Sequence, residues 1–192
     1  MLLNIDDNRI ALAIPPFLRL AFRPFFLCGA LFSVLAIGWW IFYWLNPVSW
    51  NPYGGPIWWH GHEMIFGFAV AIVAGFLLTA VQTWTGVTGL RGVPLAVLLV
   101  FWLAGRLVLA LGSALPAVLL VCVDSLFLFC AAFAMAYPVL TVKQWRNIMF
   151  VPILLVLALL NLLSHWAVLT EQPQLATKAL HVAVMLIILV VA

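Results

Sequence analysis

Residues 58–86 read WWHGHEMIFGFAVAIVAGFLLTAVQTWTG, a run long enough to cross a membrane as one helix. Beyond Glu63 it is almost wholly apolar, without the strict alternation of a barrel strand. A helix rises about 1.5 Å per residue and the hydrocarbon core is about 30 Å thick, so roughly 20 such residues make one crossing. The polar head of the stretch, His60-Gly61-His62-Glu63-Met64, carries two of the chain's four histidines and one of its five acids. A chain with so few ionisable groups has gathered several of them at one end of a membrane span.

Runs of the same kind recur at about 25–45, 60–82, 94–112, 116–137, 148–169 and 175–192. Turn-forming residues separate them. Asn46–Pro47 and Asn51-Pro52-Tyr53-Gly54-Gly55-Pro56 make the first loop, Gly86 to Gly92 the second and Gly112 to Pro116 the third. Lys143 to Asn147 and Gln172–Pro173 mark the fourth and fifth. Of the 192 residues 68% are hydrophobic and 7% charged, where a soluble domain has about 25% charged residues. The reading is an all-α, polytopic transmembrane bundle of about six spans, with segment 1–24 ahead of a bundle over 25–192. The last run reaches residue 192 with no stop signal or polar tail, as if the chain ended inside its sixth span.

Basic residues give the orientation. Arg9, Arg19 and Arg23 in the N-terminal segment, Arg91 in the second loop and Lys143 and Arg146 in the fourth outweigh the lone Lys178 near the fifth. Positive loops stay inside, so the N-terminus is expected in the cytoplasm. The late start of the first apolar run, with Asp6 and Asp7 ahead of it, argues against a cleaved signal peptide. The net charge of +3 then reports topology, and the expected surroundings are a lipid bilayer, with no role for nucleic acid. Cys28, Cys122 and Cys130 lack a CxxC spacing and read as small packing residues.

Topology converts sequence position into depth. His60 and His62 open the second span, while His165 and His181 are each eight residues from Pro173 on opposite arms of a helical hairpin. All four are expected in the outer third of the membrane. Arg106 and Asp124 are each nine residues from Leu115 on another hairpin, which predicts an ion pair. A charge at the centre of a membrane helix costs about 2.5–3.5 kcal/mol on insertion scales and pairs or faces a cavity. The pair reads equally as a structural clasp or as part of a cofactor or proton path. Glu63 needs a partner too, either Arg106 in competition with Asp124 or a proton to relay.

On a regular α-helix His60 and His62 point about 200° apart, so they serve one site only if the helix breaks near Gly61. Regular geometry pairs His60 with Met64, on a face continued by the small residues Gly67, Ala71 and Gly75, and leaves His62 to a second set. Imidazole suits copper, haem iron and zinc, and thioether sulfur suits copper(I) or haem iron. The competing reading makes Trp58, Trp59, His60 and His62 an interfacial belt. His60-Gly61-His62-Glu63 lacks the His-Glu-x-x-His spacing of zinc hydrolases, and no nucleotide-binding glycine pattern occurs. Redox or gas binding, transport and a scaffold role remain.

The segments RLAFRPFFLCGALFSV (19–34), residues 58–86, LRGVPLAVLLVFWLAGR (90–106) and WRN (145–147) resemble the NnrS family. These are multi-pass proteins of the bacterial inner membrane linked to nitric oxide and nitrosative stress, and regarded as containing haem and copper. The resemblance covers most of this chain but only the N-terminal half of a family member, so a C-terminal half or a partner chain is expected. Gln82-Thr83 departs from the Pro-Asn common in the family, far from the histidines. The resemblance implies a shared site built on His60, His62, Glu63 and Met64, of which His60, His62 and Met64 read as metal ligands by their donor chemistry. It extends the cofactor-binding set to His165 and His181, with Arg106 and Asp124 as further polar groups inside the membrane. The implied function is haem- and copper-dependent response to nitric oxide. The alternatives are half of a cofactor-free carrier, or a scaffold for assembling denitrification complexes.

Overall fold

The computed structural model describes residues 13–46 and 48–191. Asp6, Asp7, Arg9, Pro47 and Ala192, used in the sequence reading, lie outside them. Six helices long and apolar enough to cross a membrane are present among the described residues. They are α1 (Phe22–Leu45), α2 (Gly55–Thr85), α3 (Val93–Leu111), α4 (Ala117–Thr141), α5 (Phe150–Leu169) and α6 (Pro173–Val191). No strand occurs among these residues. The chain is an all-helical bundle with the character of a multi-pass membrane protein.

Prolines set several helix starts. Pro56 and Pro94 occupy the first turns of α2 and α3, where a missing N–H is harmless and the fixed φ suits a helix. Although Pro56 reads as part of a loop and the second span is expected from about residue 60, the helix starts at Gly55. Near its C-terminal end, α4 runs through Pro138 for another turn to Thr141. Membrane helices tolerate proline because neighbouring groups satisfy the freed carbonyls.

Helix α2 is the hub. Its most apolar stretch is 56% buried, against 17% for α1, which lies at the edge. It packs against α1, α4 and α6, and meets α3 near its start. Consecutive helices α3–α4, α4–α5 and α5–α6 also pack as neighbours. Exposed Leu27, Leu31, Val34 and Leu35 on α1, with Leu107 on α3 and Phe133 on α4, give the bundle an apolar exterior suited to lipid. Small residues let α1 approach α2: a Cβ at Gly75 would lie 2.9 Å from Phe25 Cβ and 3.3 Å from Phe22 Cα. Beside it the Phe22 amide donates to Thr79 Oγ1 at 2.9 Å.

Helix α2 is not regular throughout. From Glu63 to Ala69 it widens into a π-helix, and the Val70 amide reaches back five residues to the Ile65 carbonyl. Such segments are rare and concentrate at functional sites. This one begins at the acid of the His-x-His-Glu head.

Gly75→Leu should therefore lower the thermal-unfolding midpoint in detergent, through overpacking that costs about 1–3 kcal/mol. Gly38→Ala, whose new Cβ meets nothing within 4 Å, should leave the midpoint unchanged or raise it slightly. Equal effects of the two substitutions would contradict the close α1–α2 contact.

Candidate metal centre

Where α2 enters its π segment, Glu63 and the preceding His62 meet buried polar side chains of α3, α4 and α5. Arg106 of α3 lies between two carboxylates. One guanidinium nitrogen donates to Glu63 Oε2 at 2.9 Å, and the other donates to Asp124 Oδ1 of α4. The pairing anticipated between Arg106 and Asp124 thus includes Glu63 as well. All three side chains are buried. Removing one member of a buried ion pair costs about 3–5 kcal/mol, because the other is left unneutralised.

Two glycines make room for this assembly. A Cβ on Gly67 would come within 2.6 Å of both Arg106 Nη1 and Glu63 Oε2, and one on Gly105 would come within 3.0 Å of Asp124 Oδ1. Gly67 also gives its carbonyl to Trp102 Nε1–H at 2.8 Å, tying the π segment to α3.

Asp124 spends its other oxygen on α5. Asn161 Nδ2 donates to Asp124 Oδ2 at 2.7 Å, and His165 Nε2 lies 3.0 Å from the same oxygen. His62 Nε2 lies 2.7 Å from Asn161 Oδ1 and 3.3 Å from Asp124 Oδ2. An ionised carboxylate only accepts, so the Asn161 amide must turn its NH₂ to Asp124 and its oxygen to His62. Both histidines consequently carry hydrogen on Nε2. Their Nδ1 atoms are buried and have no hydrogen-bond partner. The other edge of His62 faces Glu63, with Nδ1 3.5 Å from Oε1, and Oε1 is also unpartnered.

Aromatic rings wall the cluster. Trp58 stacks on His62 at 4.5 Å, Phe66 lies 5.1 Å from the same ring, and His62 and His165 are 5.2 Å apart between centroids. Tyr53, in the loop before α2, lies 5.5 Å from His165. Burial, with the negative Asp124 nearby, pushes its pKa up to about 12 and keeps it a neutral phenol.

The histidines divide into three environments. His62 and His165 converge on Asp124, and these three offer metal-ligating atoms within 4.8 Å of one another. His60 turns toward α1, where its ring stacks on Trp40 at 4.4 Å. Met64 is half-buried against the apolar core. His181 is exposed and lines a cleft of about 780 Å³ between α2 and the α5–α6 hairpin, together with Trp58, Gly61, Ile65 and Leu180. Helix α2 stays helical through Gly61, so His60 and His62 keep opposite sides of it. The irregularity comes one residue after His62, where the π turn begins at Glu63.

Asn161 escaped the sequence reading. Its signal was available: an amide on an otherwise apolar helix, four residues before His165, hence on the same face.

The arrangement holds two carboxylates against one guanidinium, a net charge of −1 when both imidazoles are neutral. One further positive charge, as a proton or a metal ion, completes it. Imidazoles that donate one N–H to a carboxylate and leave the other nitrogen free have the pattern common to metal-ligating histidines.

The sequence profile of the family described as NnrS protein matches residues 16–192. No curated protein and no solved structure matches the chain.

Arg106→Ala should destabilise the detergent-solubilised chain by about 3–5 kcal/mol. Combining it with Glu63→Gln and Asp124→Asn should recover part of that loss, because no carboxylate is then left unneutralised. Thermal unfolding checks both, and a single variant as stable as the wild type would refute the neutralising role.

Proposed function

We propose that this chain, which belongs to the NnrS family, is a haem- and copper-binding protein of the bacterial inner membrane that acts in the response to nitric oxide. The observation carrying this reading is the buried His62–Asp124–His165 group, whose ligand atoms lie within 4.8 Å of one another, with an unpartnered Nδ1 on each imidazole. That donor set fits copper: imidazole nitrogen is a common copper ligand, and a carboxylate behind it fixes the tautomer. Haem fits the cleft lined by His181, whose 780 Å³ falls within the range of about 300–1,000 Å³ usual for cofactor sites. Bound haem iron and copper would supply gas binding and one-electron chemistry.

The protein's own groups would do the rest. Arg106, Glu63 and Asp124 hold α2, α3 and α4 together around the imidazoles, while Trp58, Phe66 and Tyr53 keep water out. His60, on the opposite side of α2 with its Nδ1 buried and unpartnered, and Met64 are further donors on that helix, apart from the His62 cluster. The basic residues Arg19, Arg23, Arg91, Lys143 and Arg146 lie on the cytoplasmic side in this reading, which puts the histidines near the outer face.

A second reading draws on the π segment. An irregular helix beside buried ionisable groups is also a feature of carriers, in which this bundle would form half of a transport path without a cofactor.

Metal analysis and visible spectroscopy separate the two. The purified full chain should contain iron and copper, with haem bands that shift on adding nitric oxide. His62→Ala and His165→Ala should each lose copper, and His181→Ala should lose haem absorbance. A colourless, metal-free protein that stays folded would favour the carrier.

A further inference from the structure

The hydrogen-bond directions around Asp124 say more than that metal-ligating groups are close together. Asn161 is fixed by a carboxylate that can only accept, and it fixes His62 in turn by accepting from Nε2–H at 2.7 Å. A neutral His62 therefore presents a lone pair at Nδ1, on the edge away from Asp124. Facing that lone pair at 3.5 Å is Glu63 Oε1.

Glu63 is held just as firmly. Its Oε2 accepts from Arg106 at 2.9 Å, while Oε1 has no partner and the side chain is fully buried. These two atoms lie 3.5 Å apart in a buried site and are joined by a cation between them, either a proton on Nδ1 or, in its place, a metal ion. The separation suits a metal ion. Nitrogen and oxygen donors about 2.0–2.2 Å from a metal, at a near-tetrahedral angle, stand about 3.4 Å apart.

Resting on the metal-centre reading above, we infer that His62 Nδ1 and Glu63 Oε1 are ligands of one metal ion, with Asn161 and Asp124 as the residues that position the imidazole. The π turn starting at Glu63 and the missing side chain at Gly67 leave room for the carboxylate to serve Arg106 and the ion together. A mixed imidazole–carboxylate set favours a borderline divalent ion such as Cu²⁺ or Zn²⁺ over a soft monovalent one. Sequence neighbours act as a pair here, and the set includes neither His60 nor Met64.

The test uses the full chain in detergent, stripped with a chelator and titrated with Zn²⁺, with histidines labelled with ¹⁵N. One Zn²⁺ should bind per chain, moving the His62 Nδ1 resonance while Nε2 keeps its proton. Glu63→Gln and Asn161→Ala should each weaken Zn²⁺ binding by at least about tenfold. Asn161→Ala should also let part of the Zn²⁺-loaded protein carry its His62 proton on Nδ1 instead of Nε2, which a merely structural role for Asn161 would not produce. A wild-type His62 Nδ1 that does not move on Zn²⁺ loading overturns the inference without any variant, and so does a folded Glu63→Gln that binds as tightly as wild type. If His62→Ala and His165→Ala also bind Zn²⁺ normally, the metal-centre reading itself fails. If only those two lose it while Glu63→Gln does not, the centre stands and Glu63 is not its ligand.

Discussion

Arg106 sits buried between Glu63 and Asp124. A guanidinium cannot shed its proton inside a protein, so it must carry its counter-charges with it into the bundle. It meets Glu63 from α2 and Asp124 from α4, and those two contacts fix the mutual position of three helices. The demand spreads outward. Gly67 and Gly105 must lack side chains to admit the contacts, and Trp102 braces the π segment at Gly67. Asp124, once bound to Arg106, has an oxygen left that organises Asn161, His165 and His62. A single buried cation thus sets the geometry of both imidazoles.

The π turn in α2 gives this network its chemical character. With one extra residue in the turn, Glu63 can face Arg106 while His62, immediately before it, faces α5. Hydrogen bonds that fix a tautomer cost little once made, but they fix which nitrogen is left free. In both histidines it is the atom without a partner, a demanding state for a buried polar group and one that a bound ion would relieve. Trp58 and Phe66 flank the His62 ring, so solvent does not substitute for that ion.

Much of this was legible in the sequence. Six apolar runs gave six helices, because in a membrane backbone groups must be satisfied within the segment and length alone then fixes the element. The symmetric placement of Arg106 and Asp124 about Leu115 made their pairing visible, since helical rise converts residue count into height. Grouping the donors was harder. Regular-helix geometry put His60 with Met64, but which face of α2 meets which neighbour depends on packing with α1 and α5. His60 went to Trp40 and His62 to Asn161, contacts between residues far apart in the chain. The π turn carries no composition signal of its own, so the reach of Glu63 could not be read from spacing.

A copper X-ray absorption spectrum of the purified, copper-bound full chain tests whether the buried His62 cluster is the copper site. Nitrogen and oxygen donors near 2.0 Å are expected, with the outer-shell pattern of imidazole, lost in His62→Ala. Sulfur donors alone, or a spectrum unchanged by His62→Ala, would place the copper elsewhere and contradict the buried cluster as its site.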